Sequence, residues 1–173
     1  MDWFETWFDT PYYHILYKNH DFKEAEQFIT KLIDKLKLPE NSKIIDLACG
    51  KGRHSVFLNT LGYDVLGLDL SKKSIEHNKT FENNTLKFHV HDMRNPIIGD
   101  KTDAVFNLFT SFGYFDSEED DKKVFRSVSD ILKKDGYFVL DYLNENFVRK
   151  NIVEYSSELK EQIVFNIHKK IED

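Results

Sequence analysis

The chain alternates between apolar stripes of helical period and short apolar runs of strand length. Residues 21–37 place Phe22, Ala25, Phe28, Ile29, Leu32, Ile33 and Leu36 along one helical face, with Asp21 and Glu24 set as a capping-box-like start and Pro39 beyond the end. Residues 43–48 read as a buried strand, 53–60 as a helix closed by Gly62, and 63–70 as a second strand. Ser71 is placed to cap a helix running to about Phe81, 86–91 alternate as a third strand, and 103–109 form a nearly continuous apolar fourth. A second strongly periodic helix, 117–134, turns Val124, Phe125, Val128, Ile131 and Leu132 inward. It ends at Gly136 and delivers a fifth strand, 137–143.

Strands separated by helices need right-handed crossovers, so the pattern predicts a parallel sheet covered on both faces. The fold class is α/β, a doubly wound, mostly parallel Rossmann-like sheet. Residues 1–37 form an aromatic and helical cover, 38–144 the core, and 145–173 a C-terminal extension of one domain. That extension offers one further strand-like segment, 162–171, with Ile163, Phe165, Ile167 and Ile171 on one face and Asn166, His168 and Lys170 on the other.

In such sheets ligands bind beyond the carboxyl ends of the strands. Asp46, Gly50, Gly52, Asp69 and Asp92 all fall there, along one rim. GKGRHS supplies Gly50 and Gly52 but has Ser55 where a dinucleotide fingerprint has its third small residue. GLDLS places Asp69 to accept from both hydroxyls of an adenosine ribose, a role common to nicotinamide and adenosyl cofactors. In HVHDMRN, Asp92 can accept from an adenine amino group while Met93 packs on the ring, and this second acid favours an adenosyl cofactor. Plainer roles compete: the glycines permit a tight strand-to-helix turn, Asp69 can cap the helix after Ser71, and Asp92 can cap the turn before Pro96.

Composition narrows the partners. The 173 residues are 40% hydrophobic, with no apolar run near the roughly 20 residues of a membrane span and no basic signal-peptide start, so the protein reads as cytoplasmic. Cys49, the one cysteine, excludes an internal disulfide and a Cys-rich zinc site. A net charge of −6 argues against nucleic acid and for a small-molecule partner. The acids Glu118, Glu119, Asp120 and Asp121 suit the first turn of a helix better than a metal site.

From Tyr12 to Leu143 the sequence resembles the class I S-adenosylmethionine-dependent methyltransferases, especially bacterial small-molecule types. The likeness rests on IIDLACGKGRHS, GYDVLGLDLS, HDMRN and DAVFNLFTSFGYF in this order. It implies S-adenosylmethionine as cofactor and S-adenosylhomocysteine as product. By that likeness Asp46 orients the loop and the methionine amino group, and Ala48, Cys49, Gly50 and Gly52 contact the methionine portion. Asp69, followed by Leu70, holds the ribose; Asp92 and Met93 frame adenine; Phe109 and Thr110 lie near the reacting end. Ala48 departs from the glycine that many members carry at the start of the loop.

Trp3, Phe4, Trp7, Phe8, Tyr12, Tyr13 and Tyr17 make an aromatic N-terminus. In the resembling family this region covers the cofactor, which makes Tyr12, Tyr13 or Tyr17 a lid over the sulfonium. The implied reaction is in-line methyl transfer governed by alignment and water exclusion. No catalytic residue is identified; His14, His20, His54, Tyr12 and Tyr114 are helpers if the acceptor must lose a proton, while Cys49 and His54 read more simply as structural. Alternatives are an NAD-dependent oxidoreductase and a non-catalytic S-adenosylmethionine-binding module. The family's sheet has seven strands, so the likeness also implies a shortened chain or a fragment. Its exposed fifth strand or terminal strand then invites a homodimer.

Overall fold

The computed structural model describes residues 3–17 and 22–171. Asp21, the expected cap, and His20 lie outside the described residues, as do the side chains of His14 and Phe22. Two short helices come first, α1 (Trp3–Trp7) and α2 (Pro11–Leu16). Thr10 caps α2 by accepting from the Tyr13 N–H at 3.2 Å, with Pro11 in the first helical position. α3 (Phe22–Leu36) buries Ala25 and Ile29 completely, as the apolar stripe demands.

The core then alternates β1 (Lys43–Leu47), α4 (Arg53–Thr60), β2 (Asp64–Asp69), α5 (Lys72–Asn78), β3 (Leu86–Val90), β4 (Thr102–Asn107), α6 (Glu118–Ile131) and β5 (Leu132–Leu140). The sheet order is β3-β2-β1-β4-β5, with every neighbouring pair parallel. Alternate residues of β1 and β4 feed the two faces. Ile44, Ala104 and Phe106 join Ile29, Leu58, Val65 and Phe88 on one side, whereas Ile45, Leu47 and Val105 join Leu68, Val124 and Val128 on the other. The central strands β1 and β4 are therefore buried on both faces, as expected of parallel strands, whereas β3 buries Leu86 and Phe88 but exposes Lys87 and His89, and β5 is exposed or half-buried throughout.

The expectation for the second long helix needs correcting at its end. α6 stops at Ile131, because Leu132 is already extended and paired with Thr102; β5 then passes a register shift, with Asp135 at φ 66°, before Tyr137 meets Ala104. Leu132 thus belongs to the strand, which ends at Leu140 instead of residue 143. Phe125, expected inward, is 45% exposed and lies at the margin against Phe112 and Phe138, with ring centroids at 5.2 and 6.0 Å.

After α7 (Glu145–Asn151) the chain forms a separate antiparallel hairpin of β6 (Tyr155–Lys160) and β7 (Ile163–His168). Within β7 the alternation read in 162–171 holds, since Ile163, Phe165 and Ile167 are half-buried and Val164, Asn166 and His168 exposed, but the strand ends at His168, so Lys170 and Ile171, the latter 38% exposed, fall outside it. The single strand-like segment expected there is, however, one of two. β6, the polar sequence YSSELK, is a strand through its pairing with β7.

Candidate cofactor-binding rim

β1 carries one acid into the core. Asp46 is 1% exposed, and its Oδ2 accepts from the Ser55 hydroxyl at 2.5 Å. Burial pushes its pKa up to about 6 against the pull of that hydrogen bond. Beyond β1 the loop curls through left-handed backbone at Ala48, Gly50 and Gly52, with φ of 63°, 53° and 73°. The two glycines differ in kind. A Cβ on Gly52 would stand 3.0 Å from the Phe88 ring and 3.1 Å from Asn78 Nδ2, so packing explains it, whereas one on Gly50 would meet nothing within 4 Å. Gly50 borders open space.

The loop is tied to β2. The Gly50 N–H donates to Asp69 Oδ2 and the Ser71 N–H to Asp69 Oδ1, each at 2.8 Å. One donor per oxygen leaves a second lone pair on each. Burial raises the pKa of Asp69, and the two backbone donors offset part of that. Asn78 reaches from α5 to donate to the Gly50 carbonyl at 2.8 Å. Cys49 is buried, and burial pushes its thiol well above its ordinary range, which disfavours the thiolate. Leu70 is half-buried directly beyond β2.

At the end of β3, Asp92 is clasped by Arg94. The guanidinium Nε lies 3.1 and 3.0 Å from the two carboxylate oxygens, Nη2 donates to Oδ2 at 2.7 Å, and the Arg94 N–H donates to Oδ1 at 2.9 Å. Burial works against the charge, but Arg94 prevails and holds the Asp92 pKa below its usual value. Met93 packs on the apolar cluster of Ile45, Leu47 and Leu68. Beyond β4, Phe109 and Thr110 have φ of 61° and 54°, and the Phe109 N–H donates to Asp141 Oδ2 at 3.0 Å. The Arg53 guanidinium sits 4.0 Å over the Phe109 ring, while His54 packs beside it with centroids 5.3 Å apart. Burial, aided by Arg53, depresses the His54 pKa to about 3.

The aromatic N-terminus lies across this rim. Tyr13 packs on Phe8 and Tyr17, both at 4.9 Å, and Phe8 on Tyr114 at 5.6 Å. Burial, then Tyr17 and Tyr114, push the Tyr13 pKa up to about 12; Arg53 opposes and Asp69 adds to the rise, so its hydroxyl lies within electrostatic reach of both. The Ser71 hydroxyl also donates to Asp9. Tyr12 is 54% exposed. The rim thus gathers Asp46, Ala48, Gly50, Asp69 and Tyr13, with Asp92 joined to Arg94 at its β3 side. Sequence reasoning missed Asn78, Arg94 and Asp141. Arg94 had a signal, two residues after Asp92, whereas the other two come from distant elements.

A family described as methyltransferase domain matches residues 38–173. The chain belongs to this methyltransferase family. Among its relatives is the putative methyltransferase YqeM of Bacillus subtilis (strain 168), 36% identical over 115 residues, which cover 65% of this chain and 46% of that protein. Another is a glycine/sarcosine N-methyltransferase of Aphanothece halophytica, 34% identical over 123 residues, 67% of this chain and 46% of the relative. This methyltransferase-family chain therefore spans about half the length of these curated relatives. An S-adenosylmethionine-dependent methyltransferase from Clostridium acetobutylicum ATCC 824 shares the fold, with a TM-score of 0.73 and 23% identity over 94% of this chain and 67% of that one.

Proposed function

We propose that this methyltransferase-family chain binds S-adenosylmethionine at the β1–β3 rim and serves methyl transfer to a small-molecule acceptor. The observation that carries this reading is the bond from Gly50 to Asp69. It fixes a left-handed loop against a carboxylate that keeps a free lone pair on each oxygen, the number a ribose diol requires. Open space beside Gly50 admits a ligand against the backbone, which a side chain there would obstruct.

In this reading Asp46, Ala48, Cys49, Gly50 and Gly52 shape the methionine end, Asp69 and Leu70 the ribose end, Asp92 and Met93 the adenine end, and Phe109 the reacting end. Arg94 already directs three N–H groups at the Asp92 oxygens, its Nε–H shared between both, so an adenine amino group competes with Arg94 for this carboxylate. Residues 1–37 act as the cover, 38–144 as the binding core and 145–173 as an acceptor-side extension. The bound cofactor supplies a sulfonium-activated methyl group. Tyr13 and its aromatic neighbours exclude water and face that cation. His54, buried and neutral, and Cys49, buried and protonated, have no direct part in the chemistry.

No helix among the described residues is long and apolar enough to cross a membrane, and the net charge of −6 disfavours nucleic acid. We place the protein in the cytoplasm, self-associating through its exposed strands. Calorimetry with S-adenosylhomocysteine and NAD in parallel tests the cofactor. The adenosyl ligand should bind and raise the melting temperature, since a ligand selective for the folded state stabilises it by mass action. Binding of NAD alone would overturn the assignment, as would silence from both ligands.

A further inference from the structure

A cavity of about 220 Å³ lies beyond the carboxyl ends of β3 and β4, between Arg94 and the 114–120 segment, under α1. Four of its walls are aromatic. Trp3 meets Tyr114 edge-on at 5.5 Å, and Phe4 meets Phe115 at 5.7 Å. Asp116 and Asp120 supply the acids. Among the described residues the cation in the lining is Arg94, which is already matched: it grips Asp92 at 2.7 Å, stands 3.8 Å from Asp120 and lies over the Phe115 ring at 4.8 Å. Lys123 also pairs with Asp120 at 2.7 Å. With Arg94 and Lys123 set against Asp92 and Asp120, the Asp116 carboxylate leaves the lining with a negative balance.

In the first turn of α6, Glu118 pairs with Lys122 at 2.9 Å and Glu119 with Arg126 at 2.7 Å, which leaves Asp121, its pKa raised by burial and then by Asp120 and Glu118, to add to that sign. A helix N-terminus ordinarily welcomes anions, but four acids in this one cancel that preference. Aromatic faces beside a carboxylate instead suit a compact organic cation. Ring contacts connect the cavity to the cofactor rim, Tyr114 packing on Phe8 and Phe8 on Tyr13.

We propose that this cavity holds the methyl acceptor and that the acceptor is an amine bound as an ammonium ion. The inference rests on the methyltransferase reading. The sign of the cavity suits such a reaction at its start and finish. The ammonium gives one proton to solvent through Asp116, the freed nitrogen lone pair forms the C–N bond, and the C–S bond breaks with its electron pair remaining on sulfur. Positive charge passes from sulfonium to the methylated ammonium, which the same aromatic walls hold.

Trp3 lines the cavity, so tryptophan fluorescence reads its occupancy in the S-adenosylhomocysteine-loaded protein. Choline should give a saturable change, and neohexyl alcohol, its uncharged carbon isostere, should bind at least about tenfold more weakly. Trp3→Phe should remove the signal while calorimetry still records choline. Asp116→Asn should weaken choline at least about fivefold without altering S-adenosylhomocysteine binding, measured separately by calorimetry. Equal affinity for choline and its isostere, or preference for acetate, would overturn the ammonium site while leaving cofactor binding intact. Loss of S-adenosylhomocysteine binding in the parent would instead strike the reading on which the acceptor role depends.

Discussion

Asp46 and His54 are both buried beside the loop, and burial moves their pKa values in opposite directions. Asp46 rises from 3.8 to about 6 and His54 falls from 6.5 to about 3. Between these values the folded chain keeps a proton on Asp46 that the unfolded chain has lost, so this group's contribution falls as pH rises. Over the same range the unfolded chain holds a proton on His54 that the folded chain lacks, so that contribution grows as pH rises. Each slope is about 1.4 kcal/mol per pH unit, and between about pH 4 and pH 6 the two cancel. Asp46→Asn, which leaves His54 alone, should therefore gain about 2–3 kcal/mol relative to the parent's own trend as pH is raised from about 4 to 6; His54→Asn should lose a similar amount. Urea unfolding at several pH values measures both. Two variants that reproduce the parent's profile would show that these groups titrate normally.

Asp69 lends itself to a graded test of the binding rim. Asp69→Ala removes the acceptor for Gly50, Ser71 and any ribose hydroxyl, and should weaken S-adenosylhomocysteine at least about tenfold. Asp69→Asn retains one acceptor oxygen and should fall between. Calorimetry on variants whose melting shows a folded state separates binding from folding. An unchanged affinity would leave Asp69 with only its backbone contacts.

Between β2 and β3 the fit is tighter than the sequence suggests. Gly67 reads as an ordinary strand residue, yet a Cβ there would stand 2.4 Å from Phe88 Cδ1 and 3.1 Å from Cys49 Sγ. Phe88 is 1% exposed and has nowhere to move. Gly67→Ala should cost about 1–3 kcal/mol, and Phe88→Leu in the same chain should recover part of it. Additive losses in denaturant unfolding would contradict the clash. Such cross-strand packing is illegible in one sequence because it joins residues 21 positions apart. What was legible is what local chemistry controls: the stripe of α3, the Ser71 cap, and the acids closing β1, β2 and β3. The early end of α6 and the existence of β6 were not legible. Leu132 and YSSELK take their conformations from partners, Thr102 and β7, that local pattern does not reveal.

Across the whole molecule, exposed apolar side chains gather in the residues that follow β5. Tyr142, Leu143, Phe147, Val153, Tyr155, Leu159 and Val164 are each more than half exposed. Among the described residues β5 pairs only with β4, and β7 turns to β6 instead of closing that edge. Lys160 links the hairpin to the cover by donating to the Leu16 carbonyl, which leaves Leu159 and Val164, paired with each other and 72% and 59% exposed, on the open side. An unpaired strand edge and the exposed Leu159–Val164 pair both favour association with a second copy. Sedimentation should show dimers or larger species growing with concentration. Leu159→Lys with Val164→Glu places opposite charges across the pair, which preserves the hairpin while removing its apolar face. A monomeric double variant that binds S-adenosylhomocysteine like the parent would place the contact on the hairpin. Continued association would place it on β5, and a parent that sediments as a monomer would refute self-association through either surface.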